Sequence, residues 1–160
     1  MKRMTFGLAF LAAIGSGLMA GLFFIFSVTI MSALGKLPVP AGIAAMQSIN
    51  TTILNPLFLA AFMGTALVCV IIAVIAMLDW AGPASGWLVT GALLYVAGTF
   101  LVTIIFNVPM NDALAAATPD SSEAASLWTR YLAVWTGWNH VRTVTSTAAL
   151  GSFIMALRHL

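Results

Sequence analysis

Charged residues punctuate this chain at long intervals. Residues 4–35, 37–78 and 80–111 contain no Asp, Glu, Lys or Arg. A hydrocarbon core of about 30 Å needs about 20 helical residues at ~1.5 Å each, so each stretch can hold a membrane-crossing helix. The first predicts a span near Thr5–Ala33. In the second, LPVPAG and NPL interrupt the apolar run, leaving a span over Leu57–Leu78 and a short helix in AGIAAMQSIN before it. The third predicts a span near Trp87–Phe106. A fourth run ends at Arg158, but only Thr143–Leu157 is free of charge, roughly 22 Å of helix. To cross, this helix must take in Arg142 and His140, which then lie about one turn inside the apolar slab. Upstream, DSSE has the form of a capping box, with Asp120 as N-cap and Glu123 at the third position. It predicts a long helix from about Ser121, bent at Gly137. The expected fold is all-α: a single domain over residues 1–160, a four-transmembrane-helix bundle with a short extra helix in the first outer loop and a long fourth helix.

Composition agrees with a membrane protein. Hydrophobic residues make up 62% of the chain and charged residues 6%, against about a quarter charged in soluble domains. The apolar run near the N-terminus continues to Leu34, too long for the core of a secretory signal. The six Lys and Arg residues form no basic stripe, so no nucleic-acid partner is expected. A lone cysteine, Cys69, permits no intrachain disulfide and no CxxC pair, which excludes thiol-to-quinone electron transfer. Lys2, Arg3 and Arg158 fall on one side with the 79–86 loop, and Lys36 and Arg130 on the other. The positive-inside rule then places both termini in the cytoplasm, in a bacterial inner membrane. Small residues every four positions, Ala13-Gly17-Gly21 and Ala148-Ser152-Ala156, predict close helix contacts.

The polar residues converge at one depth. Ser27 lies late in the first span. Asn55 opens the second, Asn107 and Asn111 follow the third, and Asn139, His140 and Arg142 open the fourth. Met46, Gln47 and Asn50 sit on the short helix at the same end. An Arg at mid-membrane costs about 2.5–3.5 kcal/mol on insertion scales, so Arg142 needs partners. The amides of Asn107, Asn111 and Asn139 are candidates, and Asp112 is the nearest acid. Snorkelling of Arg142 to the headgroups is the alternative. Trp135, Asn139 and Arg142 are spaced i, i+4, i+7 and share a helix face. An aromatic plate beside a donor suits a flat, oily, oxygenated ligand, although Trp also gathers at membrane interfaces with no binding role. The other histidine, His159, lies about 28 Å along the helix from His140, so the two cannot share a metal; no metal or other cofactor is expected.

Four blocks together carry a family resemblance: GLFFIFSVTIMSAL, MQSINTTILNPLF, FNVPMNDAL and WTGWNHVRTVTSTAAL, running from Gly21 to Leu150. The chain resembles the anthrone-oxygenase-like membrane proteins of bacteria and fungi. It departs from their pattern at Ser32, where the family favours proline. The resemblance implies a four-helix membrane bundle. For a few fungal members it implies oxidation of a polyketide anthrone to an anthraquinone by dioxygen, without metal or flavin.

That chemistry needs a base, a donor for a developing oxyanion and an apolar slot. His140 is the expected base. Arg142 is the expected oxyanion donor, helped by Asn139 or Asn107. Phe24, Trp135 and Met46 are expected to line the slot, with Asn111, Gln47, Asn50 and Asn55 as further substrate contacts. The expected partners are the lipid bilayer and a small lipophilic aromatic ligand. Two other functions fit the same residues: a non-enzymatic carrier of such a ligand, and a structural subunit whose polar cluster organises a homo-oligomer.

Overall fold

The computed structural model describes residues 2–80 and 82–160. The helices are α1 (Lys2–Leu34), α2 (Val39–Thr52), α3 (Pro56–Leu78), α4 (Pro83–Ala115) and α5 (Ser122–Leu157), and no strand occurs among the described residues. Helices α1, α3 and α4 are long and apolar enough to cross a membrane. They contain the three uninterrupted spans expected from the sequence. Helix α1 packs against α3 and α5, and α4 against the same two.

Helix α5 is more polar, yet it is central to the packing. Its buried residues include Trp128, Tyr131, Trp135, Asn139, Arg142, Ser146, Ala149, Phe153 and Ala156. Steps of three and four residues place them on one stripe, which faces the other helices. The helix runs unbroken through Gly137, where the sequence suggests a bend. Its N-cap is Ser121, one residue later than predicted; the side chain of Ser121 accepts from the Ala124 N–H at 3.1 Å. Two other starts follow directly from sequence. Asn55 accepts from the Phe58 N–H at 3.0 Å just ahead of Pro56, and Pro83 follows Gly82, whose φ of 81° suits glycine.

Close helix approach depends on glycines, though not all of those expected. A Cβ on Gly15 would collide with the Thr65 side chain where α1 meets α3, and one on Gly98 with Thr145 where α4 meets α5. Gly21 has open space around it and Ala148 is exposed. The buried stripe of α1 instead follows Ala9, Ala12, Ser16, Met19 and Phe23. In α5 it follows Ala149, Ser152 and Ala156.

Helix α4 contains two wide π-helical stretches, Val96–Leu101 and Thr103–Asn107; α1 has one at Phe26–Ile30. The wide turns in α4 have a geometric effect. Tyr95, Thr99, Thr103, Asn107 and Asn111 recur every four residues. In an α-helix of 3.6 residues per turn such a row drifts by about 40° per step. A π turn takes more residues and cancels the drift. The last four of these side chains consequently all bond to α5: Thr99 to Ser146 at 2.8 Å, Thr103 to Arg142 at 3.2 Å, Asn107 to the Trp135 carbonyl at 3.2 Å and Asn111 to Trp135 Nε1 at 2.8 Å.

Lys2, Asp79, Ser85 and His159 border one small pocket of about 100 Å³, so the chain ends and the α3–α4 connection share one end of the molecule. Helix α2 sits at the opposite end. Its Gln47 Nε2 donates to the carbonyls of Leu114 at 2.7 Å and Ala117 at 3.1 Å, closing the last turn of α4.

A candidate site beneath helix α2

All five helices border a cavity of about 440 Å³ at the α2 end. Leu22, Phe23 and Phe26 come from α1, Met46, Gln47, Ile49 and Asn50 from α2, and Phe58 from α3. Thr103, Asn111 and Asp112 come from α4, and Trp135 and Arg142 from α5. The size suits a compact organic ligand. Most of the wall is apolar, with a few polar groups converging on it.

Arg142 is the deepest-set of these groups and only 4% exposed. Its Nη2 donates to Asn139 Oδ1 at 2.7 Å and its Nη1 to Thr103 Oγ1 at 3.2 Å. The guanidinium carbon lies 4.3 Å from the Phe23 ring centroid and 5.0 Å from that of Trp135, within cation–π range of both. These partners are all neutral, and Nε is buried without any hydrogen bond. A buried cation held only by neutral dipoles and ring faces is short of a counter-charge.

The surrounding amides hold this arrangement in place. Asn139 Nδ2 donates to the Phe23 carbonyl and to Ser27 Oγ, each at 2.7 Å. With its nitrogen so fixed, Asn139 turns its oxygen towards Arg142. Asn111 Oδ1 accepts from Trp135 Nε1 at 2.8 Å and from the Tyr131 hydroxyl at 2.7 Å. Indole N–H can only donate, which identifies that atom as the oxygen and leaves the amide N–H groups of Asn111 for a ligand. Asn50 Nδ2 lies 3.4 Å from the same Tyr131 hydroxyl. Trp128, Tyr131 and Trp135 stack along α5 with centroids 5.7 and 5.6 Å apart, and Phe26 adds a tilted ring 5.9 Å from Trp135. Asn107 is fully buried; its Oδ1 has no partner, and it braces α5 from outside the cavity wall.

Much of the expected cluster is therefore assembled. Arg142, Trp135, Asn111, Gln47, Asn50 and Met46 line the cavity, and Asn139 supports Arg142 from behind. Three expectations fail. His140 is exposed and does not line the cavity: two helical residues turn a side chain by about 200°, so Arg142 and His140 cannot face the same way. Phe24 is 55% exposed, and its neighbours Phe23 and Phe26 form the wall instead. Asn55 is spent on capping α3 and stays at the surface. Two contributors escape the sequence reading: Thr103 and Tyr131. Tyr131 is detectable, since it precedes Trp135 by four residues and Asn139 by eight on the same stripe.

A family model described as anthrone oxygenase matches residues 57–152, more than half of the chain and the part that supplies Arg142, Asn111 and Trp135. No curated protein and no solved structure matches the sequence.

Proposed function

The chain belongs to the anthrone oxygenase family, and on that premise we propose that the cavity beneath α2 activates a planar, anthrone-type phenolic substrate for direct reaction with dioxygen. The protein is then an integral membrane oxidoreductase in which α5 is the fourth span. The single observation that carries this assignment is Arg142, a buried guanidinium lining an apolar cavity with Nε unbonded.

An anthrone has a methylene group flanked by two aryl rings and conjugated to a carbonyl. Loss of one methylene proton gives an enolate. Its negative charge on oxygen is the counter-charge that Arg142 lacks, and a preorganised donor in a water-poor site stabilises such charge far better than water does. The rings of Phe23, Phe26 and Trp135 match a flat aromatic body. The electron-rich enolate carbon bonds to dioxygen, and the resulting hydroperoxide loses water to leave a second carbonyl. Each anthrone consumes one dioxygen and yields one quinone and one water.

The test is turnover of an anthrone by purified protein in air, with an anaerobic control. Oxidation above the spontaneous rate is expected, with a loss of about 10²-fold or more in Arg142→Gln, the magnitude usual for removal of an oxyanion donor. Oxidation no faster than in buffer overturns the assignment. A stoichiometrically retained aromatic without turnover would favour the carrier reading, which the cavity volume alone also supports.

A further inference from the structure

With His140 outside the cavity, the enolate mechanism lacks a proton acceptor, and the geometry points to Asp112 as that base. This step rests on the proposed oxygenase reaction. Among the described residues lining the cavity, two are ionisable: Arg142 and Asp112. A guanidinium cannot serve as a base, because it stays protonated. The nearby Tyr131 hydroxyl donates to Asn111 Oδ1 and carries its own proton. The Asp112 carboxylate is the one remaining Brønsted base on the wall.

Its placement suits the task. Asp112 follows Asn111, whose carboxamide oxygen is pinned by two donors from α5, and its own carbonyl accepts the Ala116 N–H at 3.1 Å. The helical turn carrying the carboxylate is therefore fixed relative to Trp135. Asp112 also borders the cavity while remaining exposed. Arg142 is buried and Asp112 exposed, and both line the one cavity. The proposed pose sets the substrate carbonyl oxygen on Arg142 and the methylene, on the opposite edge of the central ring, at Asp112. The methylene C–H bond breaks, the proton goes to Asp112, and the electron pair moves into the ring system and onto the oxygen held by Arg142. After dioxygen adds, Asp112 returns this proton to the peroxide. It takes the second methylene proton as the O–O bond breaks, and that proton completes the departing water.

The experiment compares wild type with Asp112→Asn and Asp112→Glu, using an anthrone and the same anthrone deuterated at the methylene. Affinity is read separately from quenching of tryptophan fluorescence by a dihydroxyanthraquinone, which cannot be oxidised further at that carbon. Asp112→Asn should lower kcat about 10²–10⁴-fold, the range for loss of a general base. It should retain quinone affinity within about threefold, and Asp112→Glu should recover part of the rate. Wild type should show a primary isotope effect. Turnover by wild type with an unchanged Asp112→Asn variant overturns the role of Asp112 and leaves the oxygenase intact. A rate loss matched by an equal loss of quinone affinity also overturns it, since the carboxylate then only binds. An inert wild type overturns both assignments.

Discussion

Arg142 and His140 stand two positions apart in the sequence and face different surroundings. Turning by about 100° per residue, α5 sends Arg142 inward to Asn139, Thr103 and two rings, and leaves His140 outside. The inward face is legible in the i, i+4, i+7 spacing of Trp135, Asn139 and Arg142. The same periodicity, applied to His140, excludes it from that face. The chemical suitability of a histidine as a base says nothing about where the helix points it. In consequence, His140→Ala should turn over an anthrone within about twofold of wild type and unfold at the same temperature. The outcome should differ at Asn139, which bonds the Phe23 carbonyl, Ser27 and Arg142 at once. Replacing it with Leu removes all three bonds and leaves Arg142 Nη2 buried without its partner, a loss of about 1–3 kcal/mol. Thermal unfolding in detergent should show a marked loss of stability, and anthrone oxidation should fall with it.

Among the elements, α1, α3 and α4 are readable because a long uncharged run in a membrane protein has few alternatives to a helix. Helix α5 is readable from its stripe rather than from hydropathy. What the sequence conceals is local. The capping serine at position 121 competes with Asp120 beside it, and both are good N-caps. The wide turns in α4 have no composition signature; only the four-residue spacing of its hydroxyls and amides hints at them. Gly137 has the look of a hinge, yet it lies within unbroken helix, and a methyl group added there would meet nothing within 4 Å. Gly137→Ala should therefore leave turnover unchanged and raise stability by about 0.5–1 kcal/mol, the helical preference for alanine over glycine. Gly98→Val should do the reverse: the added side chain meets Thr145, forcing α4 away from α5 and separating Thr103 from Arg142. Circular dichroism melts and anthrone turnover of the two variants check both claims.

For the whole molecule, the sequence locates a polar cluster at one end of an apolar body, and the structure brings part of it, Gln47, Asn50, Asn111 and Arg142, to the wall of one cavity. Which side chains form the wall is not legible in the sequence, because that depends on how α2 folds over the helix ends. The two ends of the molecule differ in charge: Lys2, Arg3 and Arg158 lie with the chain ends, while Lys36 and Arg130 lie towards α2. Positively charged segments favour the cytoplasmic side. A cysteine placed at Leu160 should accordingly be shielded from an impermeant maleimide in intact cells, and one placed at Ser48 should be labelled. Cys69, buried within α3, should remain silent in both.

The wide turns of α4 also give that helix slack in its length. Excising Ile105, exposed on its outer side, tightens one loose coil into an ordinary one and keeps Asn111 and Asp112 on their present side. Helix α3 is α-helical throughout and has no such reserve. Losing Leu67 there would swing Cys69, Ile72 and Ala76 about 100° out of the core. Of two proteins each shortened by a single residue, only the one trimmed in α4 should still assemble.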